Sequence, residues 1–193
     1  EHAAARADVT AIVLDIDSPG GEVSGAFGLA DFIRATREAA GKPIVAVANE
    51  AAFSAAYLIA AACDRIVMPL TAGVGSIGVI SLHCDFSAAD KMAGRKVTAI
   101  YAGAHKNDFT PHEPLKAEAR ASWQAEVDRV YGLFTGAVAR FRGIGEADVG
   151  ATEAGLYFGD NAIGAGLADE IGTLDDAIAS LARSATTTPN RGG

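Results

Sequence analysis

With 193 residues the chain amounts to about one domain, enough to bury around seventy per cent of the surface its unfolded form exposes. Half of it is hydrophobic, yet 24 acidic residues against 16 basic ones leave a net charge of -8, which argues against a nucleic-acid partner. The longest apolar segment, Ala51 to Cys63, is too short and too alanine-rich to cross a bilayer, no signal peptide is evident, and Cys63 and Cys84 lie in apolar runs without metal-ligand spacing. Buried thiols in a reducing, cytoplasmic setting are therefore expected, with no metal and no cofactor.

Glu1 to Ala7 shows no pattern, so residues 1–8 read as an edge, with the domain at 9–182 and a flexible Thr/Pro/Gly-rich tail at 183–193. Val9 to Ile16 reads as a strand buried on both faces, as in a parallel sheet. It runs into the turn Asp17-Ser18-Pro19-Gly20-Gly21, and Ser24 to Ala40 then forms an amphipathic helix stopped by Gly41 and Pro43. Pro43 to Ala48 is a β-branched strand and Ala55 to Cys63 a helix, with Arg65 to Met68 a further short strand. Thr71 to Gly78 is a second glycine-rich loop, followed by a predicted strand at Val79 to Leu82. Ser87 to Asp90 resembles a capping box for a short helix ended by Gly94. A strand at Lys96 to Tyr101, a polar loop from Ala102 to Pro114 and a helix from about Lys116 to Arg140 come next. Leu156 to Phe158 is a strand, Gly159 to Gly166 holds a small helix, and Thr173 to Asp176 caps a last helix reaching about Ala182. Strands alternating with helices across glycine turns predict an α/β fold with a largely parallel core, no internal repeat and no second domain.

Ser54 stands between a buried strand and a helix, among residues small enough to admit a substrate backbone. There, unpaired backbone N–H groups and the helix dipole favour a developing negative charge. The plain alternative is a serine that only caps a buried helix. The turn at Gly20-Gly21, the Ser54 turn and Gly75-Ser76-Ile77-Gly78 each end or follow a core strand, and in parallel sheets such loops gather at one edge.

SPGG at Ser18 to Gly21, a serine before an alanine-rich helix and Cys63 to Met68 (CDRIVM), then GSIGV at Gly75 to Val79 and AHKND at Ala104 to Asp108 together resemble the S49 peptidases. This is the family of signal peptide peptidase A, on the fold shared by Clp proteases and crotonases, and the resemblance runs from Val9 to Ala182. It implies Ser54 as nucleophile, Lys106 as general base, Ser76 as a serine contacting that lysine, and the backbone N–H groups of Gly21 and Ala55 as an oxyanion hole. Gly20, Gly75 and Ile77 fall where an extended substrate would bind. The family usually has a strand and a helix before the SPGG strand, whereas this chain begins almost at that strand. Lys96 to Lys106, Glu113 to Leu115 and Gly166 to Glu170 look more like the phage head-maturation subgroup than the cellular signal peptide peptidases.

The chemistry fits those parts. A serine hydroxyl is a poor nucleophile until a base removes its proton, and lysine does so only in its neutral form, which desolvation favours. Taken alone, Lys106 reads as a solvated loop lysine, and Ser76 as a serine satisfying turn backbone. His83 and His105 invite a Ser-His-Asp reading, but each suits a structural role better, and His112 between prolines reads as a surface residue. Asp15 and Asp17 share one strand face and are expected to pair with backbone, since no third metal ligand accompanies them. The expected protein is thus a Ser-Lys endopeptidase cutting unstructured polypeptide: scaffold, signal peptide or its own flanking segments. Small apolar pockets at Val23, Ala51, Ala55 and Val74 would select small or aliphatic side chains. The helix after Ser54 and the helix at Lys116 to Arg140 would support a homo-oligomer. A crotonase-like acyl-CoA enzyme and an inactive ring-forming assembly protein are the rival readings.

Overall fold

The computed structural model describes residues 1–187. Along the chain run α1 (His2–Ala5), β1 (Ile12–Ser18), α2 (Ala26–Ala40), β2 (Ile44–Phe53), α3 (Ala55–Ala61), β3 (Arg65–Met68), β4 (Gly73–Gly75) and α4 (Ser87–Met92). After these come α5 (Ala117–Arg142), α6 (Glu146–Gly150), β5 (Leu156–Phe158), α7 (Gly159–Gly164), β6 (Glu170–Ile171) and α8 (Leu174–Thr187). They fall into two compact units, Glu1–Gly78 with Leu133 onward, and Val79–Gly132.

The first unit is organised on β2, whose alternation-free Ile44 to Ala48 run is fully buried. Six strands form one sheet in the order β5-β4-β2-β3-β6, with β1 paired to β2. All pairings are parallel except β4 with β5. The sheet bends within β2. Ile44–Ala48 faces Ile12–Ile16 in register, but Ser18 pairs with Ala52, and Glu50 sits at φ 81° where the ladder skips. A bulge of this kind re-aims the strand end, here toward Ser54. Past the bulge, Ala51–Phe53 leaves β3 and pairs with Gly73–Gly75.

Each face of the sheet is covered. On one, Tyr57, Leu58 and Ala60 of α3, Ala30 and Ile33 of α2, and Phe134, Val138 and Phe141 of α5 pack with Ala46, Ala48, Ile66 and Met68. On the other, Ala177, Leu174 and Leu181 of α8 close over Val45, Val47 and Val67. α8 begins with the predicted cap in full reciprocal form: Thr173 N and Oγ1 both donate to Asp176 Oδ2 (2.9 and 2.7 Å), and Asp176 N donates to Thr173 Oγ1 (3.2 Å). The Tyr57 hydroxyl, driven far up in pKa by burial, donates to the Leu167 carbonyl at 3.0 Å.

Several expectations need correcting. β1 is not buried on both faces: Asp15 and Asp17 are exposed, and β2 is its one partner strand among the described residues. The last helix continues to Thr187, so the predicted flexible tail starts as helix, and its remainder, 188–193, lies outside the described residues. Cys63 is buried, its thiol pushed up to about 12 by desolvation, but Cys84 is exposed.

In the second unit neither Val79–Leu82 nor Lys96–Tyr101 is a strand: among the described residues neither makes a backbone hydrogen bond of a ladder. The anticipated capping box at Ser87 is also absent. Asp85 Oδ1 accepts from Ser87 N at 2.8 Å instead, and Asp90 is buried in another role. What holds this unit is a small aromatic and ionic cluster. The Phe109 ring meets Trp123 edge-on at 4.2 Å between centroids, with His83 at 6.5 Å from the same indole.

Candidate active site

The Ser54 turn is strained. β2 ends at Phe53, α3 starts at Ala55, and Ser54 between them has φ 52° and ψ -124°, a conformation L-residues rarely adopt. A capping serine has extended backbone, and its side-chain oxygen accepts from a backbone N–H of the first turn. Ser54 does neither: no side-chain cap bond is made. The backbone alone secures it, with Ser54 N donating to the Gly75 carbonyl at 2.9 Å and Leu58 N donating to the Ser54 carbonyl at 3.1 Å. A tight strand-to-helix turn of this type lifts a hydroxyl clear of the sheet, where a substrate can reach it.

Gly20 packs directly on that turn. At φ 106°, a β-carbon added to it would lie 2.6 Å from Ser54 Cβ, 2.9 Å from the Phe53 carbonyl and 3.2 Å from Ser54 Oγ. Ser18 Oγ accepts from Gly20 N at 3.2 Å and so fixes the SPGG turn. Gly21 next to it is open, with nothing within 4 Å of a β-carbon there. The amides of Gly21 and Ala55 find no acceptor among the described residues. Gly20, Gly21 and Ala55 also line one cavity of about 640 Å³.

The cavity has an apolar lining from Ile16, Ala26, Leu29, Ala56 and Ile59, and an acidic one from Asp15, Asp17 and Glu22. Of the four positions expected to form side-chain pockets, only Ala55 belongs to it. Val74 is fully buried in the core and Val23 is exposed. Asp15 and Asp17 make no hydrogen bond to backbone, contrary to expectation, and no group of three metal-binding side chains occurs among the described residues. Leu29 and Ile59, which the sequence did not single out, stand at helical spacing after Ala26 and after Ala55 and Ala56.

The Gly75-Ser76-Ile77-Gly78 loop backs the turn. Gly75 has φ 107°, and a β-carbon there would meet the Gly155 carbonyl at 2.7 Å, while Ser76, at φ 53°, donates its N–H to that carbonyl at 2.9 Å. Gly78 leaves room for Ala154, whose β-carbon would sit 2.6 Å from one on Gly78. Glu153 and Ala154 are themselves left-handed (φ 48° and 56°), so the 152–155 turn is a strained buttress that the sequence did not reveal. The Ile77 side chain is fully buried, which leaves only its main chain for a ligand.

Lys106 belongs to the second unit. It is exposed, its backbone N–H donates to Gly103 O at 3.1 Å, and the loop that bears it is tied down by all three of the unit's histidines. His105 Nδ1 lies 2.8 Å from Asp108 Oδ2, His83 Nε2 lies 3.0 Å from the Thr110 carbonyl, and His112 Nδ1 lies 2.7 Å from Asp90 Oδ2. His112 is thus more than a surface residue. Asp90 is 6 % exposed, also binds Arg95 at 3.0 Å, and its helix is joined to the loop by Phe86 N donating to Pro111 O at 2.7 Å.

Sequence comparison now adds to this geometry. The model of Peptidase family S49 matches residues 36–188. The head-tail preconnector protein GP5 of Enterobacteria phage P21 is 41% identical over 182 residues, covering 94% of this chain and 36% of that protein. The capsid assembly protease C of Escherichia phage lambda is 40% identical over 178 residues, 92% of this chain and 40% of that one. The chain therefore spans well under half the length of these relatives. Among solved structures, a lysine-to-alanine mutant of the 1510-N membrane-bound stomatin-specific protease, in complex with a substrate peptide, superposes with a TM-score of 0.58 at 14% identity, covering 89% of this chain and 65% of that one. That likeness concerns the fold alone, an α/β sheet flanked by helices, as the sequence led one to expect. No helix among the described residues is long and apolar enough to cross a membrane. With the family model matching most of its length, the chain belongs to peptidase family S49.

Proposed function

We propose that this chain is the peptidase portion of a phage-type capsid-assembly protease, cutting extended polypeptide with Ser54 as nucleophile and Lys106 as general base. One observation carries the reading: Ser54 is held in a strained strand-to-helix turn with its hydroxyl uncommitted to the helix cap. Strain of about 1–3 kcal/mol at one residue persists where function selects it, and a merely capping serine has no use for it.

The chemistry is the one the family resemblance implies for these residues. Lys106 in neutral form takes the Ser54 proton as Oγ attacks the scissile carbonyl, and the N–H groups of Gly21 and Ala55 meet the resulting oxyanion. Collapse expels the amine, which takes the proton back from Lys106. Water then repeats the sequence on the acyl-enzyme and frees Ser54. Ser76 orients the lysine. An extended substrate pairs its main chain with the glycine-bordered edges at Gly20 and Gly75, and one side chain enters the cavity lined by Leu29 and Ile59. The acidic residues at that cavity disfavour substrates bearing Asp or Glu there. Natural targets would be scaffold protein or the chain's own flanking segments, and the working form a homo-oligomer. The names of the two phage relatives support the capsid setting, and the peptide-bound lysine mutant supports a lysine in the machinery.

The direct test is Ser54→Ala. Hydrolysis of an unstructured peptide and labelling by a serine-directed phosphonate should both vanish, while thermal unfolding stays within a few degrees of the parent. Cleavage at a near-parental rate would sink the assignment.

A further inference from the structure

The loop that bears Lys106 is anchored from one side. Residues 96–101, which lead into it, make no backbone hydrogen bond among the described residues. From Gly103 onward the chain folds into overlapping turns. Lys106 N donates to Gly103 O at 3.1 Å, Asp108 N to His105 O at 3.3 Å and Thr110 N to Asn107 O at 3.2 Å. His105 Nδ1 and Asp108 Oδ2, 2.8 Å apart, brace the middle turn. Turns that share residues pass position along the chain, so whatever fixes residues 110–112 also fixes Lys106. What fixes them from α4 is a carboxylate the peptidase chemistry does not use, Asp90.

We propose that Asp90 is a positioning residue for Lys106, acting through His112 as a latch between α4 and the lysine loop. The proposal rests on the reading of Lys106 as base and extends it to a buried group outside the reacting atoms. Asp90 Oδ2 lies 2.7 Å from His112 Nδ1, and Asp90 Oδ1 lies 3.0 Å from Arg95 Nη2. Beside this contact, Phe86 N donates to Pro111 O at 2.7 Å, and the Phe86 carbonyl accepts from Asp90 N at 2.9 Å. Helix and loop are thus joined at two successive loop residues, once by main chain and once by the carboxylate. The remaining anchors are the Phe109 ring against Trp123, which is free to slide, and His83 on the Thr110 carbonyl. Bonds to a carboxylate are stronger and more directional than either. An apolar residue at position 90 would fill the space without the cost of burying a charge, so a carboxylate there contributes orientation more than stability. A general base on a long flexible side chain needs that orientation, because a misplacement of about 1 Å costs on the order of 100-fold in rate.

Asp90→Asn and His112→Gln test the latch, the second being a partly exposed residue whose loss leaves folding intact even if the first does not. On a fluorogenic peptide, kcat should fall about 10- to 100-fold in each, with KM changed less than about threefold. Amide hydrogen exchange over residues 103–110 should quicken about tenfold or more in both variants, while exchange in β2 and α3 matches the parent. Asp169→Asn is the control for stability alone. It removes a carboxylate bonded twice to Arg142 in the first unit, and should lower the unfolding midpoint with kcat unchanged. Parental kcat in both latch variants would overturn the proposal. So would a loss of kcat without faster loop exchange, a loss that falls on KM instead, or an equal loss of kcat in Asp169→Asn. The two readings fail in different ways. Parental loop exchange in Asp90→Asn would sink the latch and leave the base reading standing, whereas an active Lys106→Arg would sink the base reading and with it the catalytic role given to Asp90.

Discussion

A β-carbon on Gly20 would stand 2.6 Å from the β-carbon of Ser54, so the SPGG turn is fitted against the strained serine and Gly20 has no room for a side chain. Gly20→Ala meets the Phe53 carbonyl as well, at 2.9 Å, and asks alanine to hold φ 106°. The expected result is a loss of about 2–4 kcal/mol in urea unfolding together with loss of peptide cleavage. Ser54→Gly should do the opposite to stability: relief of the left-handed strain makes the inactive protein more stable by up to about 1 kcal/mol, whereas Ser54→Ala keeps the strain and gains nothing. Equal unfolding midpoints for the glycine and alanine variants would contradict this account of the turn.

If Lys106 is the base, as proposed, Lys106→Arg keeps the charge and removes that base, because guanidinium does not give up its proton. Since Lys106 is exposed, the fold should be untouched. Turnover should drop by at least about a thousandfold, with substrate binding changed little. Steady-state kinetics on a fluorogenic peptide decides it. An arginine variant with substantial activity would move attention to His83 or His105.

Leu29 faces the cavity from α2 and is half-exposed, so its size can change without disturbing the core. Leu29→Phe should narrow the space and shift the preferred substrate side chain from Leu or Ile toward Ala or Val. A change of about 10- to 100-fold in relative kcat/KM is expected, the range one or two methylenes command in an apolar pocket. A peptide library profiled against both proteins reads it directly. An unchanged profile would place the substrate side chain elsewhere.

Asp169 joins the end of the sheet to α5. Its carboxylate accepts two bonds from Arg142, at 2.8 and 2.7 Å, and one from Ile66 N at 2.7 Å. Burial opposes ionisation, but these donors outweigh it and hold Asp169 below the usual carboxylate range, while the Arg142 guanidinium is held above its own despite desolvation. A depressed folded pKa contributes stability that is complete above the unfolded value of about 3.9 and is lost as pH falls below it, through the folded value. Asp169→Asn should therefore cost about 2 kcal/mol at neutral pH, leave Arg142 short of a partner, and flatten the acid limb of the stability curve. Urea midpoints measured from pH 7 down to pH 3 would show an unchanged limb if the account is wrong.

Legibility in the sequence tracked whether a segment finds a ladder partner among the described residues. Ile44 to Ala48, Arg65 to Met68 and Leu156 to Phe158 read correctly because each has a neighbour to complete its ladder, and Thr173 to Asp176 because a reciprocal cap is wholly local. Val79–Leu82 and Lys96–Tyr101 carry β-branched runs too, and propensity alone cannot say that they make no ladder among the described residues. In the site, the glycines and Ser54 were readable as a pattern of small residues beside a hydroxyl. The left-handed angles of Ser54, Ser76 and Ala154 were not, since non-glycine residues give no warning of a positive φ. Asp90 was hidden for another reason. A carboxylate that starts a helix looks like a cap until the histidine and arginine that bury it are seen together.

The covering of the sheet by α8 bears on where this chain can be cut. Ala177, Leu174 and Leu181 close over Val45, Val47 and Val67 on the face opposite α3, directly beneath the strand that ends at Ser54. A break ahead of Thr173 would detach α8 and strip that face, uncovering three core valines, two of them in the strand that ends beside Ser54. An enzyme that matures by trimming its own flanks must therefore place its C-terminal cut beyond Leu181. If the chain trims its own flanks, as proposed, the architecture of the sheet confines that cut before any sequence preference comes into play.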